Sequence, residues 1–223
     1  MKMIRNCSLL NLILFAWSIV SAQNQKVSCN CPATNFADRK ADTLFHLSNG
    51  ETIALCGYKN PNSKPVTFSE FVLAVCGQDT IIDFWGAVLT CRLAVHDDTL
   101  LVERLENLPV GMDFKYQETV ARIEKIYFHG KNVVRKLGVN KQITKYNQAE
   151  IQTILRAYET AKPGLDESKM KIANELFIAS ISGDKTARKY FKEFETKFGK
   201  LDGAFEEEYD DLAELLALWD KEN

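Results

Sequence analysis

At residue 147 the hydrophobic rhythm of this chain changes, and that change limits its fold more than any other feature. Before it, apolar residues come in short runs separated by turn signals; after it, they recur at three- and four-residue spacing. Asn147 followed by Glu150 is an N-cap with an acid in the first turn, opening a helix that Pro163-Gly164 closes. Its stripe is Ile151, Ile154, Leu155 and Tyr158. Asp166 opens a second helix, ended by Gly183, with Ala173, Leu176, Phe177 and Ile181 inward. Asp184 caps a third, striped by Ala187, Tyr190, Phe191, Phe194 and Phe198. A fourth runs from Ala204 to Trp219 and turns Phe205, Tyr209, Leu212, Leu216 and Trp219 inward. Each stripe is one-sided and the connections are short. Residues 147–223 therefore predict a four-helix antiparallel bundle or a stack of helical hairpins.

The stretch 43–140 predicts an antiparallel, hairpin-rich β domain, which makes the fold class α+β. Asn49-Gly50 is the residue pair that a two-residue type I′ turn demands. That turn pairs Ser48 with Glu51, His46 with Ile53 and Leu44 with Leu55. It puts Phe45, Leu47, Ala54 and Cys56 on one face and Leu44, His46, Ile53 and Leu55 on the other. Both faces are apolar, so a further layer must cover this hairpin. A second hairpin turns at Asp97-Asp98 and pairs Arg92 with Glu103; a third turns at His129-Gly130-Lys131-Asn132. Phe71–Cys76 and Thr80–Trp85 read as strand, turn and strand, although Thr67–Glu70 would also serve as a capping box.

Residues 1–22 have the layout of an export signal. Lys2 and Arg5 precede an apolar run from Leu9 to Val20, and Val20-Ser21-Ala22 offers a cleavage site before Gln23. The run is shorter than the ~20 residues a spanning helix needs. A secreted or periplasmic protein with no stable membrane span after cleavage is the expectation. Of six cysteines, Cys7 lies in this leader and the other five lie between Cys29 and Cys91. In an oxidising compartment disulfides are the default, and five thiols leave one over. Cys29 and Cys31 are too close to bridge each other without strain. The expectation is that Cys29, Cys31, Cys56 and Cys76 staple an N-terminal arm, residues 23–42, onto the sheet, with Cys91 left free in its core. A rival reading makes Cys29 and Cys31 a thiol or soft-metal site, but no His or Met lies near them.

The whole chain carries a net charge of −2, and residues 147–223 alone carry −6, from 11 Lys and Arg against 17 Asp and Glu. Nucleic-acid binding needs clustered cations, so none is expected. No dinucleotide, phosphate-loop, calcium-loop or zinc-helix pattern is present, so no cofactor and no metal are expected. Ser168/Lys171 and Ser182/Lys185 have the spacing of a serine–lysine pair, yet both sit where helix caps are wanted. Of the three histidines, only His96 stands beside carboxylates, Asp97 and Asp98, and a small secreted hydrolase built on them is the alternative reading. The leading expectation is an exported protein-binding module without catalytic activity, of inhibitor or immunity type. Its unknown protein partner would meet Glu206, Glu207, Glu208, Asp210 and Asp211.

Overall fold

The computed structural model describes residues 29–222 apart from Ala33, Asp38, Asp79 and Pro163, so the expected leader lies outside the described residues. Among the described residues the fold is mixed α+β, an eight-stranded antiparallel sheet with five α-helices. The strands are β1 (Thr43–His46), β2 (Thr52–Asn60), β3 (Thr67–Val75), β4 (Ile81–Trp85), β5 (Thr90–His96), β6 (Thr99–Leu108), β7 (Gln117–His129) and β8 (Asn132–Val139). They pair in the order β1-β2-β3-β5-β6-β7-β8, and β4 pairs beside β3. The helices are α1 (Gln148–Thr160), α2 (Asp166–Ile181), α3 (Lys185–Lys192), α4 (Phe194–Phe198) and α5 (Ala204–Glu222).

The sheet curls on itself. Ile53, Leu55, Phe71, Leu73, Leu100 and Ile126, drawn from strands β2 to β7, form one buried cluster. Arg135 of β8 reaches across to β4, where it meets the Asp83 carboxylate and also pairs with Glu124 of β7 at 2.5 Å. Its guanidinium lies 5.8 Å from the Trp85 ring centroid. The hairpin at Asp97-Asp98 has the expected register, with Arg92 opposite Glu103 and an ion pair of 2.8 Å.

The first hairpin does not. Phe45 pairs with Ile53 and His46 with Thr52, one residue away from the two-residue-turn register. The loop has three residues: the Gly50 amide donates to the Leu47 carbonyl, the Leu47 amide donates to the Glu51 carbonyl, and Gly50 takes φ +90°. Glycine reaches that conformation without a Cβ clash, and a turn of this kind suits a three-residue connection. A slip of one residue exchanges partners between faces. Phe45, Leu47, Ile53 and Leu55 thereby join the sheet core, while Cys56 packs with Cys31, Phe36 and Val72 on the opposite face.

The covering layer on that opposite face is the N-terminal arm. Cys29 bonds to Cys76 and Cys31 to Cys56, and Phe36 is buried against them. Both members of the Cys29/Cys31 pair are thus engaged in disulfides, which leaves neither as a free thiol for a metal. The two bridges are compatible with an oxidising, extracytoplasmic location. Cys91 is buried and carries no bridge.

The back of the chain departs from a four-helix bundle in two ways. The third expected helix breaks at Glu193, whose ψ of 9° separates α3 from α4. The helices also do not enclose a core of their own: Leu108, Val110, Ala121 and Val139, from the strands and their connections, share one cluster with Ile154, Phe177, Phe191, Phe194 and Trp219. α1 follows expectation closely, with a full capping box from Asn147 and Glu150 and with Ile151, Ile154, Leu155 and Tyr158 buried. α2 does not. From Ala173 to Ile181 it is buried on every side, Asn174, Glu175 and Ser180 included. A helix surrounded by α1, α3 and α5 has no solvent face there, and its polar residues must find partners inside.

Candidate functional site

Where α2 and α5 pass over the lower ends of β6 and β7 lies a cleft of about 690 Å³. Its construction begins with β6 and β7. Arg104 stands opposite Arg122 across the strand pair, and the next register pair is Leu105 with Val120. Ala121 is therefore the extra residue of a β-bulge, and it is fully buried in the helix-side core. The bulge aims the two arginines at α5. Asp211 answers both: its carboxylate takes Arg104 Nη2, its backbone carbonyl accepts from Arg122 Nη2 at 2.5 Å, and its Oδ1 lies 3.5 Å from Arg122. Glu106 adds an ion pair of 2.6 Å to Arg104 Nε, and Glu214 lies 3.6 Å from Arg122 Nη1. Burial pushes the Glu106 carboxyl up, against the pull of Arg104.

The far wall is α2. Asn174 is only 2% exposed, and its Nδ2 donates to the Met170 carbonyl at 3.1 Å and to Glu208 Oε1 at 2.9 Å. Its Oδ1 has no hydrogen-bond partner, and neither has Nε of Arg122, a residue 8% exposed. Glu106 Oε1 likewise makes no hydrogen bond and is held by its charge contact with Arg104 alone. An orphan of this kind costs about 1–3 kcal/mol, so three on residues of one cleft are a standing deficit that a bound molecule would relieve. Tyr116 stands at the mouth, its phenol pushed up to about 12 by burial and by Glu175 and Glu208, with Asn174 acting in the opposite sense. Just before it, Asp113 and Phe114 hold φ of 54° and 57°. Two consecutive non-glycine residues in the left-handed region cost about 1 kcal/mol or more each. Leu108, Met170, Phe205, Leu212 and Leu215 give the cleft an apolar side.

The acidic run of α5 divides between this cleft and solvent. Asp211 and Glu208 are engaged as described, and Glu206 lies 3.4 Å from Lys200 Nζ. Glu207 and Asp210 are exposed. Two smaller depressions, of about 400 and 430 Å³, each hold an ion pair, Arg92 with Glu103 and Lys192 with Asp220, and the first is also lined by Lys59.

His96 sits at a hairpin tip, 79% exposed, with Nδ1 3.1 Å from an Asp97 carboxylate that is 82% exposed, and it lines none of these three depressions. His46 is exposed and bonded to Thr52 Oγ1 at 3.0 Å. Ser182 Oγ accepts from the Tyr146 amide and donates to the Ile178 carbonyl, a capping arrangement. Ser168 and Lys171 line the cleft. Among the described residues, no three His, Cys, Asp or Glu side chains are grouped to hold a metal ion, and no helix is long and apolar enough to cross a membrane.

Sequence reasoning missed Asn174, Arg122 and Glu106. Asn174 carried one usable signal, a polar residue two positions from the Leu176-Phe177 stripe; nothing local marked Arg122. Comparison with known proteins adds no guide: no protein family, no curated protein and no solved structure matches this chain.

Proposed function

We propose that this chain is an exported binding module without catalytic activity, and that it holds a protein partner at the α2–α5 cleft and along the adjoining exposed edge of α5. The observation that carries the reading is that Asn174 and Arg122, two residues lining one cleft, each hold a buried polar atom without a hydrogen-bond partner, Oδ1 and Nε. Two neighbours of the cleft support it. Glu207 and Asp210 leave charge free on the outer face of α5, and the strained segment at Asp113-Phe114 forms part of the approach to Tyr116. An inhibitor- or immunity-like role is the concrete form such a module would take. The hydrolase built on His96 ranks second, because that histidine stands on an exposed turn and lines none of the three depressions described.

A photo-crosslinking residue placed at Glu207, in the protein exposed to envelope extract of its own cells, tests the proposal. A single stoichiometric adduct is expected, and reversing Glu207 and Asp210 to lysine should weaken its binding about tenfold. No adduct, or unchanged affinity after charge reversal, would sink the reading. Turnover of an ester or amide substrate that His96→Ala abolishes would favour the hydrolase instead.

A further inference from the structure

The polar deficit of the cleft has a chemical sign. Resting on the protein-binding reading above, we infer that the cleft receives a lysine or arginine side chain of the partner, cation first. Its N–H groups meet Asn174 Oδ1 and the Glu208 carboxylate, and its aliphatic stem lies against Met170 and Leu212.

Three observations converge on that group. Asn174 has both amide hydrogens committed, to Met170 and Glu208, so what it has left to offer is an acceptor, and only a donor can satisfy it. The charges point the same way. Arg122 and Arg104 are answered by Asp211, Glu106 and Glu214, which leaves Glu167 and Glu208 against Lys171 on the remaining wall. A cation restores balance there and an anion worsens it. The apolar side supplied by Met170 and Leu212 suits the methylene stem of a long basic side chain, which buries its carbons while its head group reaches polar partners.

The second orphan distinguishes a side chain on a peptide from a free amine. Asn174 is tied to Glu208 and Arg122 to Asp211, and those two α5 residues are three apart, about 4.5 Å along the helix. A residue within a chain brings a backbone carbonyl alongside its own side chain, and that carbonyl can accept from Arg122 Nε. A simple polyamine has no acceptor to offer.

Amide chemical shifts of the isotope-labelled mature chain, followed during titration, read the outcome. Three probes are compared: acetyl-Ala-Lys-Ala-amide, the same peptide with norleucine in place of lysine, and spermidine. The lysine peptide should shift the amides of α2 and α5 saturably, and the norleucine peptide should bind about tenfold or more weakly. Glu208→Gln, an exposed and near-isosteric change whose folding circular dichroism checks, should cut affinity for the lysine peptide about tenfold. Asn174→Leu, where it folds, should lose it. Absence of saturable shifts with the lysine peptide, or equal binding of the norleucine peptide, overturns the inference. Tighter binding of spermidine than of the lysine peptide overturns the side-chain source. The two readings fail separately. A crosslinked partner that binds Glu208→Gln with undiminished affinity removes the cation assignment and leaves protein binding standing. A cleft that saturates with the lysine peptide while no partner is captured does the reverse.

Discussion

Arg104 of β6 and Arg122 of β7 stand directly opposite each other across one strand pair. Like charges so placed repel, and both arginine side chains are largely buried, 17% exposed for Arg104 and 9% for Arg122. Asp211 holds them together by meeting one guanidinium with its carboxylate and the other with its backbone carbonyl. This clasp ties α5 to β6 and β7, beside the apolar packing of Leu212, Leu215, Leu216 and Trp219. Replacing Asp211 by Ala should destabilise the protein by about 1–3 kcal/mol, since it leaves two partly buried cations short of a counter-charge. Urea melts at low and high salt check this. The loss should shrink as added chloride screens the arginines, and a loss independent of salt would assign the effect to the packing of the Asp211 side chain rather than to its charge.

Gly57 sits at a β-bulge where β2 runs against β3. A Cβ added there would lie 2.3 Å from Phe71 Cβ and 2.6 Å from Phe71 Cα, both part of the close-packed sheet core. Neither strand can give way without moving the Cys31–Cys56 bridge one residue away. Gly57→Ala should therefore cost about 3 kcal/mol by denaturant unfolding. A change within experimental error would show that the two strands separate more freely than their packing implies.

The five cysteines of residues 29–222 should divide cleanly by chemistry. Burial pushes the Cys91 thiol up to about 12, so at mildly alkaline pH it is neither ionised nor reachable. Iodoacetamide should leave Cys91 unmodified in the native protein and label it alone in denaturing guanidinium without reductant, as peptide mass mapping would read. Replacing Cys31 and Cys56 together by Ser opens a bridge spanning 25 residues and should cost about 3 kcal/mol, releasing the arm around Phe36.

Glu175 supplies a pH signature. Burial holds its carboxyl above the ordinary range while Lys171 pulls it down, and the phenols of Tyr116 and Tyr146 feel its charge. A carboxyl whose pKa is higher folded than unfolded binds more protons in the folded state. Stability therefore falls as pH rises from about 4.3 through the folded value, and the full penalty persists above it. Glu175→Gln should raise the Tm at pH 7 and leave it unchanged near about pH 3.5, where both states hold the proton. An unchanged Tm at pH 7 would mean that the ionised carboxylate meets no penalty in its buried position.

What the residues disclosed in advance was local. Asn147 with Glu150, Asp184 ahead of Ala187, and Asp97-Asp98 between two strands each act within a few residues, through caps and turns whose partners lie nearby in sequence. The first hairpin shows the limit of that reasoning. Asn49-Gly50 suits both a two-residue turn and a three-residue loop with Gly50 left-handed, and only burial of Phe45 and Leu47 with Ile53 and Leu55 chooses between them. The phase of those four apolar residues was already written in the sequence and favoured the register that forms.

The sequence by itself determined the order of strands and helices, most of the turns, and an odd number of cysteines from residue 29 onward. Only the tertiary structure decided the disulfide pairing, the sharing of one core between sheet and helices, and the cleft. The reason is distance along the chain. Asp211 meets Arg104 across 107 residues and Arg122 across 89, while Asn174 reaches Glu208 across 34. Cysteine spacing cannot rank one pairing above another, and α2 loses its solvent face only when α1, α3 and α5 close around it. Asn174 reads as a surface residue of an amphipathic helix until that burial turns its unused acceptor into the most telling atom of the cleft.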